Sequence, residues 1–183
     1  MSKNETGQKV ELKIGKYTFS FKKFQYVERM SAETYCFAAD LMVDGYKLAA
    51  CENNGHGGST NVRVYPECRE LGNAVEAYLA AQPKVRCEEY DMELDVDLEY
   101  VADTLVEREL EAKEHTRIMR MTATKLVFRD GEGNYHAFGW KKQDIAGLLA
   151  TPAGKNSLRA AIRRETAKGF TVVNENIPEE LLK

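Results

Sequence analysis

From Lys9 to Gln25 apolar and polar positions alternate: Val10, Leu12 and Ile14, a break at Gly15-Lys16, then Tyr17, Phe19 and Phe21. A period of two puts one face of a strand into a core, so the stretch is predicted as a β-hairpin or bent strand pair. Next come Tyr35–Val43 and Tyr46–Asn53, which flank Asp44-Gly45. That dipeptide suits a two-residue type I′ turn, where both central residues need φ > 0. With Val43 opposite Tyr46, the register predicts a core face made of Phe37, Ala39, Leu41, Leu48 and Ala50, and a second face carrying Cys36, Ala38, Asp40, Lys47, Ala49 and Cys51. The alanines imply that a helix packs close to this sheet. Asn61 to Tyr65 reads as a further short strand.

Pro66 suits the first turn of a helix, and Cys68, Leu71, Val75, Tyr78 and Leu79 follow at helical spacing up to Gln82-Pro83. Tyr90 to Tyr100 then alternates strictly and is predicted as a strand. From about Asp97 the spacing turns helical, with Leu98, Val101, Ala102, Leu105, Val106 and Leu110 on one side, to about Lys113. Thr124–Arg129 and Asn134–Trp140 flank Asp130-Gly131-Glu132-Gly133 as a second hairpin. Asp144 is placed to cap a short helix that stops before Thr151-Pro152, and Asn156 to cap a helix over Ser157–Lys168 closed by Gly169. Phe170–Val173 reads as a short strand, and a final turn docks Leu181 and Leu182. The fold expected is α+β: an antiparallel sheet built from hairpins, with several amphipathic helices packed on it. With no repeat and no linker, residues 1–183 are kept as one domain, residues 1–8 being a flexible tail and 88–114 an acidic strand and helix segment.

Composition changes little in that picture: 30% charged and 43% apolar residues describe an ordinary globular protein. No apolar run reaches the roughly 18 residues of a membrane span. The polar N-terminus has no secretory core, so a cytoplasmic location is expected. Cys36, Cys51, Cys68 and Cys87 form no CxxC pair and are expected as free thiols. The net charge of −3 hides an asymmetry, because residues 88–114 hold 12 acids against 2 bases while residues 115–183 hold 7 against 12. One acidic and one basic surface are therefore on offer to partners.

Three stretches could carry chemistry. The first is the Gly/Asn loop Cys51-Glu52-Asn53-Asn54-Gly55-His56-Gly57-Gly58-Ser59-Thr60-Asn61. Successive N–H groups in such a loop can form an anion nest, so Asn53, Asn54, Gly55, His56, Gly57, Gly58 and Asn61 are its candidate ligand contacts. It has neither the Walker Lys nor a GxGxxG pattern opening a helix. The competing view is a tight strand connection in which the glycines supply φ > 0. The second is the acidic alternation, where Asp91, Glu93 and Asp95 face one way on a strand and are weak candidates for Mg²⁺ or Mn²⁺; a solvated acidic face is the alternative. The third is the C-terminal helix, with Arg159, Arg163 and Arg164 as candidate phosphate contacts, set against ordinary snorkelling surface. No nucleophile motif is present, and no cofactor or resident metal is expected.

The run Asn54-Gly55-His56-Gly57-Gly58 with Asn61 after it, together with the ending Phe170-Thr171-Val172-Val173-Asn174 and Ile177-Pro178, resembles small uncharacterised proteins of bacteriophages, prophages and other mobile elements. The resemblance implies an accessory protein and brings no known activity. The function expected first is a non-catalytic binding protein, counteracting a host system, that meets a host protein or an anionic, nucleotide-like small molecule at the Gly/Asn loop. The alternatives are an acidic nucleic-acid mimic that occupies a basic host protein, and a metal-dependent phosphoesterase or nuclease. Direct nucleic-acid binding is not favoured, no membrane partner is expected, and a homo-oligomer is.

Overall fold

A computed structural model describes residues 9–88 and 91–182 of the 183. The predicted tail and Tyr90 lie outside them. The chain divides into two compact units, Met1–Lys113 and Glu114–Lys183. Each unit carries its own buried cluster of apolar side chains. The architecture is α+β, with antiparallel pairing throughout the described strands.

The first unit holds a five-stranded meander: β1 (Leu12–Ile14), β2 (Tyr17–Tyr26), β3 (Cys36–Val43), β4 (Tyr46–Asn54) and β5 (Asn61–Val64), side by side in chain order. The β3–β4 turn has Asp44 at φ 48° and Gly45 at φ 86°, the pairing a type I′ turn requires. Val43 faces Tyr46 as predicted, but the register slips by one between Leu41 and Met42. Leu48 is the extra residue. Beyond this bulge Leu41 pairs with Ala49 and Ala39 with Cys51, so Ala49 and Cys51 join Phe37, Ala39 and Leu41 on the buried side and Ala50 leaves it. A one-residue shift turns every later side chain to the opposite face. On the opposite face, which also carries the buried Cys36 and Met42, Asp40 accepts the Tyr65 hydroxyl at 2.7 Å and pairs with Lys47 at 3.1 Å.

Helix α1 (Arg69–Ala80) follows a 3₁₀ turn at Pro66–Cys68 and buries Gly72, Val75 and Leu79. Gly72 lets it approach closely, since a Cβ there would stand 2.7 Å from the Val64 side chain. The strand predicted over Tyr90–Tyr100 is far shorter. Among its described residues only Met92–Leu94 (β7) pairs, with Val85–Cys87 (β6), and Asp91 at φ 48° precedes β7. Helix α2 then runs from Leu98 to Thr124, well past the predicted end near Lys113. Neither Gly nor Pro interrupts residues 98–124, and Asp97 accepts the Tyr100 N–H at 2.8 Å at its start. Leu98, Val101, Ala102, Leu105 and Val106 close the first core against the sheet.

In the second unit β8 (Leu126–Arg129) is flanked by β9 (Tyr135–Phe138) and β10 (Thr171–Val172). Helices α3 (Ile145–Leu149) and α4 (Pro152–Thr166) complete its core. Asp144 caps α3 as predicted, accepting from Gly147 N–H. The cap of α4 is Thr151, not Asn156: its hydroxyl accepts from Gly154 N–H at 3.1 Å and Pro152 opens the helix. A Thr-Pro pair supplies a capping oxygen and then a residue whose missing N–H costs nothing, which places the start five residues earlier. At the end of the chain the buried Asn174 accepts Val127 N–H at 2.6 Å and donates to the carbonyls of Thr122 and Lys125, both at 2.9 Å.

Candidate functional site

The Gly/Asn loop is tied down by its own side chains. Asn53 Oδ1 accepts Gly55 N–H at 2.9 Å and the Thr34 hydroxyl at 2.8 Å, and Asn54 Oδ1 accepts His56 N–H at 3.1 Å. These asparagine turns consume two of the N–H groups that an anion nest would offer. Gly55 adopts φ 84° and sits hard against the loop before β3, where a Cβ would come within 2.1 Å of the Met30 carbonyl oxygen. Its own carbonyl accepts from Ala32 and Glu33 N–H at 2.9 and 3.1 Å. Only glycine meets both demands, so the loop buckles residues 30–34 to the end of β4.

Beyond the glycines the loop docks on α2. Thr60 N–H donates to Glu99 Oε1 at 3.0 Å, and the Thr60 hydroxyl donates to Asp103 Oδ1 at 2.6 Å. Between these contacts and the sheet end lies a cavity of about 620 Å³ lined by Tyr26, Glu33, Tyr35, Phe37, Asn53, Asp103 and Glu107, among others. Among the described residues three carboxylates line it and no Lys or Arg does. Its aromatic wall includes Tyr26 and Tyr35, whose rings meet edge to face with centroids 6.1 Å apart.

A second cavity, of about 710 Å³, lies where the β6–β7 hairpin faces α2 and shares Asp103 and Glu107 with the first. Glu93, Asp95, Asp97 and Glu99 also line it, and Arg86 is its one cation among the described residues. The two hollows thus adjoin at Asp103 and Glu107, the middle of a row of acids, Glu99, Asp103, Glu107 and Glu111, spaced by four residues along α2. Four residues rise about 6 Å, so the carboxylates recur once per turn on one flank. Removal from water, with Glu99 and Asp97 nearby, raises the pKa of Asp103 against the pull of the Thr60 hydroxyl. The same burial, with Asp103 and Glu111 as neighbours, raises that of Glu107. Among the described residues, acids outnumber bases in the lining of both cavities.

The sequence-derived candidates distribute unevenly about this site. Asn53 and Gly58 line the first cavity; Asn54 and His56 are exposed beside it, and Asn61 is turned to Glu52 at 3.1 Å. Gly55 and Gly57 shape the loop, Gly57 lying where a Cβ would strike the Glu33 carboxylate at 2.4 Å. Asp91, Glu93 and Asp95 do not converge. Asp91 pairs with Arg86, Asp95 with Lys84 at 2.9 Å, and Glu93 lies opposite Arg86 in the ladder. Among the described residues no three His, Cys, Asp or Glu gather as a metal site.

Arg159, Arg163 and Arg164 share α4 but differ in what they touch. Arg159 donates to Asn156 at 3.2 Å, and Arg164 pairs with the buried Glu165 at 2.6 Å and lies over the Phe138 ring. Arg163 is exposed. Thr60 was read from sequence only as one of the loop's uncharged donors, and Glu33, Asp103, Glu107 and the tyrosine pair were not singled out, although the four-residue spacing of the helical acids was a readable signal. The four cysteines are free, and burial holds the Cys51 thiol up at about 12, which leaves it inert. No described helix is long and apolar enough to cross a membrane. Comparisons with protein-family models, with curated proteins and with solved structures find no match to this chain.

Proposed function

We propose that this chain is a non-catalytic binding protein whose acidic trough, running from the Gly/Asn loop along α2, docks a basic segment of a partner protein. The observation that carries the reading is the row Glu99, Asp103, Glu107 and Glu111, whose middle members line two cavities at once. Like charges held this close destabilise the free protein, and a cationic partner relieves them, so complementarity favours a protein over an anionic small molecule. A host protein is the natural partner if the mobile-element resemblance of the loop holds. Acids repeated at each helical turn also suit a mimic of nucleic-acid phosphates, which is the same docking with a nucleic-acid-binding partner.

The test is titration of the chain with oligolysine and oligoarginine of equal length, with oligoglutamate as control, at several salt concentrations. Basic oligomers should bind and weaken steeply with salt. The variant Glu99→Gln, Asp103→Asn, Glu107→Gln, Glu111→Gln should lose at least tenfold in affinity. Binding of oligoglutamate alone, or unchanged affinity in the variant, would overturn the reading.

A further inference from the structure

The cavity beside the Gly/Asn loop is lined by three aromatic side chains, Tyr26, Tyr35 and Phe37, where its neighbour has Tyr100 alone among the described residues. Tyr26 and Tyr35 line it together with the α2 carboxylates Asp103 and Glu107, with Glu33 contributed by the loop before β3. We propose that this cavity receives a guanidinium group, the side chain of an arginine presented by the partner. The proposal rests on the acidic docking just described and names what the first cavity selects.

Four features fit a guanidinium better than any other cation. First, Tyr35 is 45% exposed and Tyr26 half-buried, so ring surface is open to a visitor. Their edge-to-face arrangement, 72° between planes, presents panels of different orientation to one space. A planar cation stacks on such a face, whereas a compact ammonium gains less from the contact and gives up more hydration. Second, Asp103 and Glu107 lie one helical turn apart on α2 and Glu33 comes from a separate element, the loop before β3, so two elements supply the carboxylates that line the cavity. A guanidinium fork with five donors can engage acceptors at separate points; three donors on one nitrogen cannot spread as widely.

Third, the walls are held before any ligand arrives. Thr60 fixes Asp103 at 2.6 Å, and Asn53 anchors both Thr34 and Gly55 at 2.8 and 2.9 Å. The glycines of the loop thereby acquire a purpose: they bring Thr60 to α2 and residues 31–35 to the cavity mouth. Fourth, the site is large enough for a long side chain with water around it, and its described lining contains no competing cation.

The charge-matched oligomers separate this inference from the docking on which it rests. An acidic trough alone binds oligoarginine and oligolysine of equal length within about twofold of each other. A guanidinium pocket makes oligoarginine at least tenfold tighter, and Tyr35→Ala or Tyr26→Leu should erase that preference by weakening oligoarginine at least tenfold more than it weakens oligolysine. A decapeptide with a single arginine among neutral residues should also bind, and its citrulline counterpart, equal in shape but uncharged, should not. Thermal melting of each variant checks that it is folded, and Tyr35→Ala, a half-exposed position, guards against a Tyr26 variant that fails. Equal affinity for the two oligomers, or a preference that survives Tyr35→Ala, overturns the inference and leaves the docking standing. Failure of both oligomers removes both.

Discussion

Single residues in this protein act through what they hold rather than what they expose. Asn174 shows how much one side chain can fasten. It lies 5% exposed, accepts from β8 through Val127 N–H and donates to two carbonyls at the end of α2, Thr122 and Lys125. Asn174→Ala leaves the Val127 N–H and the Lys125 carbonyl short of these partners, while the Thr122 carbonyl keeps a bond from Asn176 at 3.0 Å. The loss should destabilise the second unit by about 3 kcal/mol. Asn174→Asp keeps the acceptor but replaces the donor by a buried charge, so it should not rescue. Trp140, the chain's only tryptophan, lies in this unit and bonds Ser157 at 2.9 Å, so its fluorescence in a urea titration reads the transition. A midpoint unchanged in both variants would mean that the network carries no stability. In sequence the asparagine stands out only as the end of the run Phe170-Thr171-Val172-Val173-Asn174, and its partners lie 47 and more positions away, beyond the reach of local pattern.

At the scale of elements, local chemistry decides starts and turns, and distant packing decides the rest. The start of α4 tests this. Thr151→Ala should cost about 1 kcal/mol, read again by Trp140 fluorescence, whereas Asn156→Ala should stay within about 0.5 kcal/mol because the Asn156 side chain accepts from Arg159 and caps no helix N–H among the described residues. Equal costs would return the cap to Asn156. The β3–β4 hairpin was legible because Asp44-Gly45 is a local signal with a physical cause, and Pro66 announced α1 for the same reason. The bulge at Leu48 was not, since alternation in one strand is silent about an extra residue in a pair. The alternation from Tyr90 to Tyr100 misled for a related reason: a period of two over acids and apolar residues describes a strand, but few residues had a partner to pair with, and the helical period from Leu98 onward prevailed. The cavity was illegible because Tyr26 and Tyr35 stand far along the chain from Asp103 and Glu107; only the acid row, at four-residue intervals, could be read in advance.

For the molecule as a whole, the acidic segment sets a conflict between stability and binding, and pH exposes it. Asp103 and Glu107 have raised pKa values, chiefly because burial penalises their charged forms, with Glu99, Asp97 and Glu111 adding repulsion along α2. Glu33 is the other carboxylate among the described residues that line the first cavity with them, and Tyr26 and Tyr35 line it too. A carboxylate whose folded pKa lies above its unfolded one binds more protons when folded, so stability falls as pH rises through the window between the two values. The penalty is absent below the ordinary carboxylate range and complete above the raised values. Asp103→Asn, Glu107→Gln should therefore melt higher than the natural chain at neutral pH, since the amide oxygen introduced at position 103 can still accept from the Thr60 hydroxyl. That advantage should vanish in acid, where the natural side chains are protonated as well. Hydrogen exchange at buried β3 positions such as Leu41 follows the first unit directly. The same variant should lose oligoarginine binding, and the natural chain should lose it as pH drops into the window, because protons then neutralise what the partner must meet. A variant no more stable at neutral pH, or one that still binds, would show that these carboxylates are not held in tension for a cation.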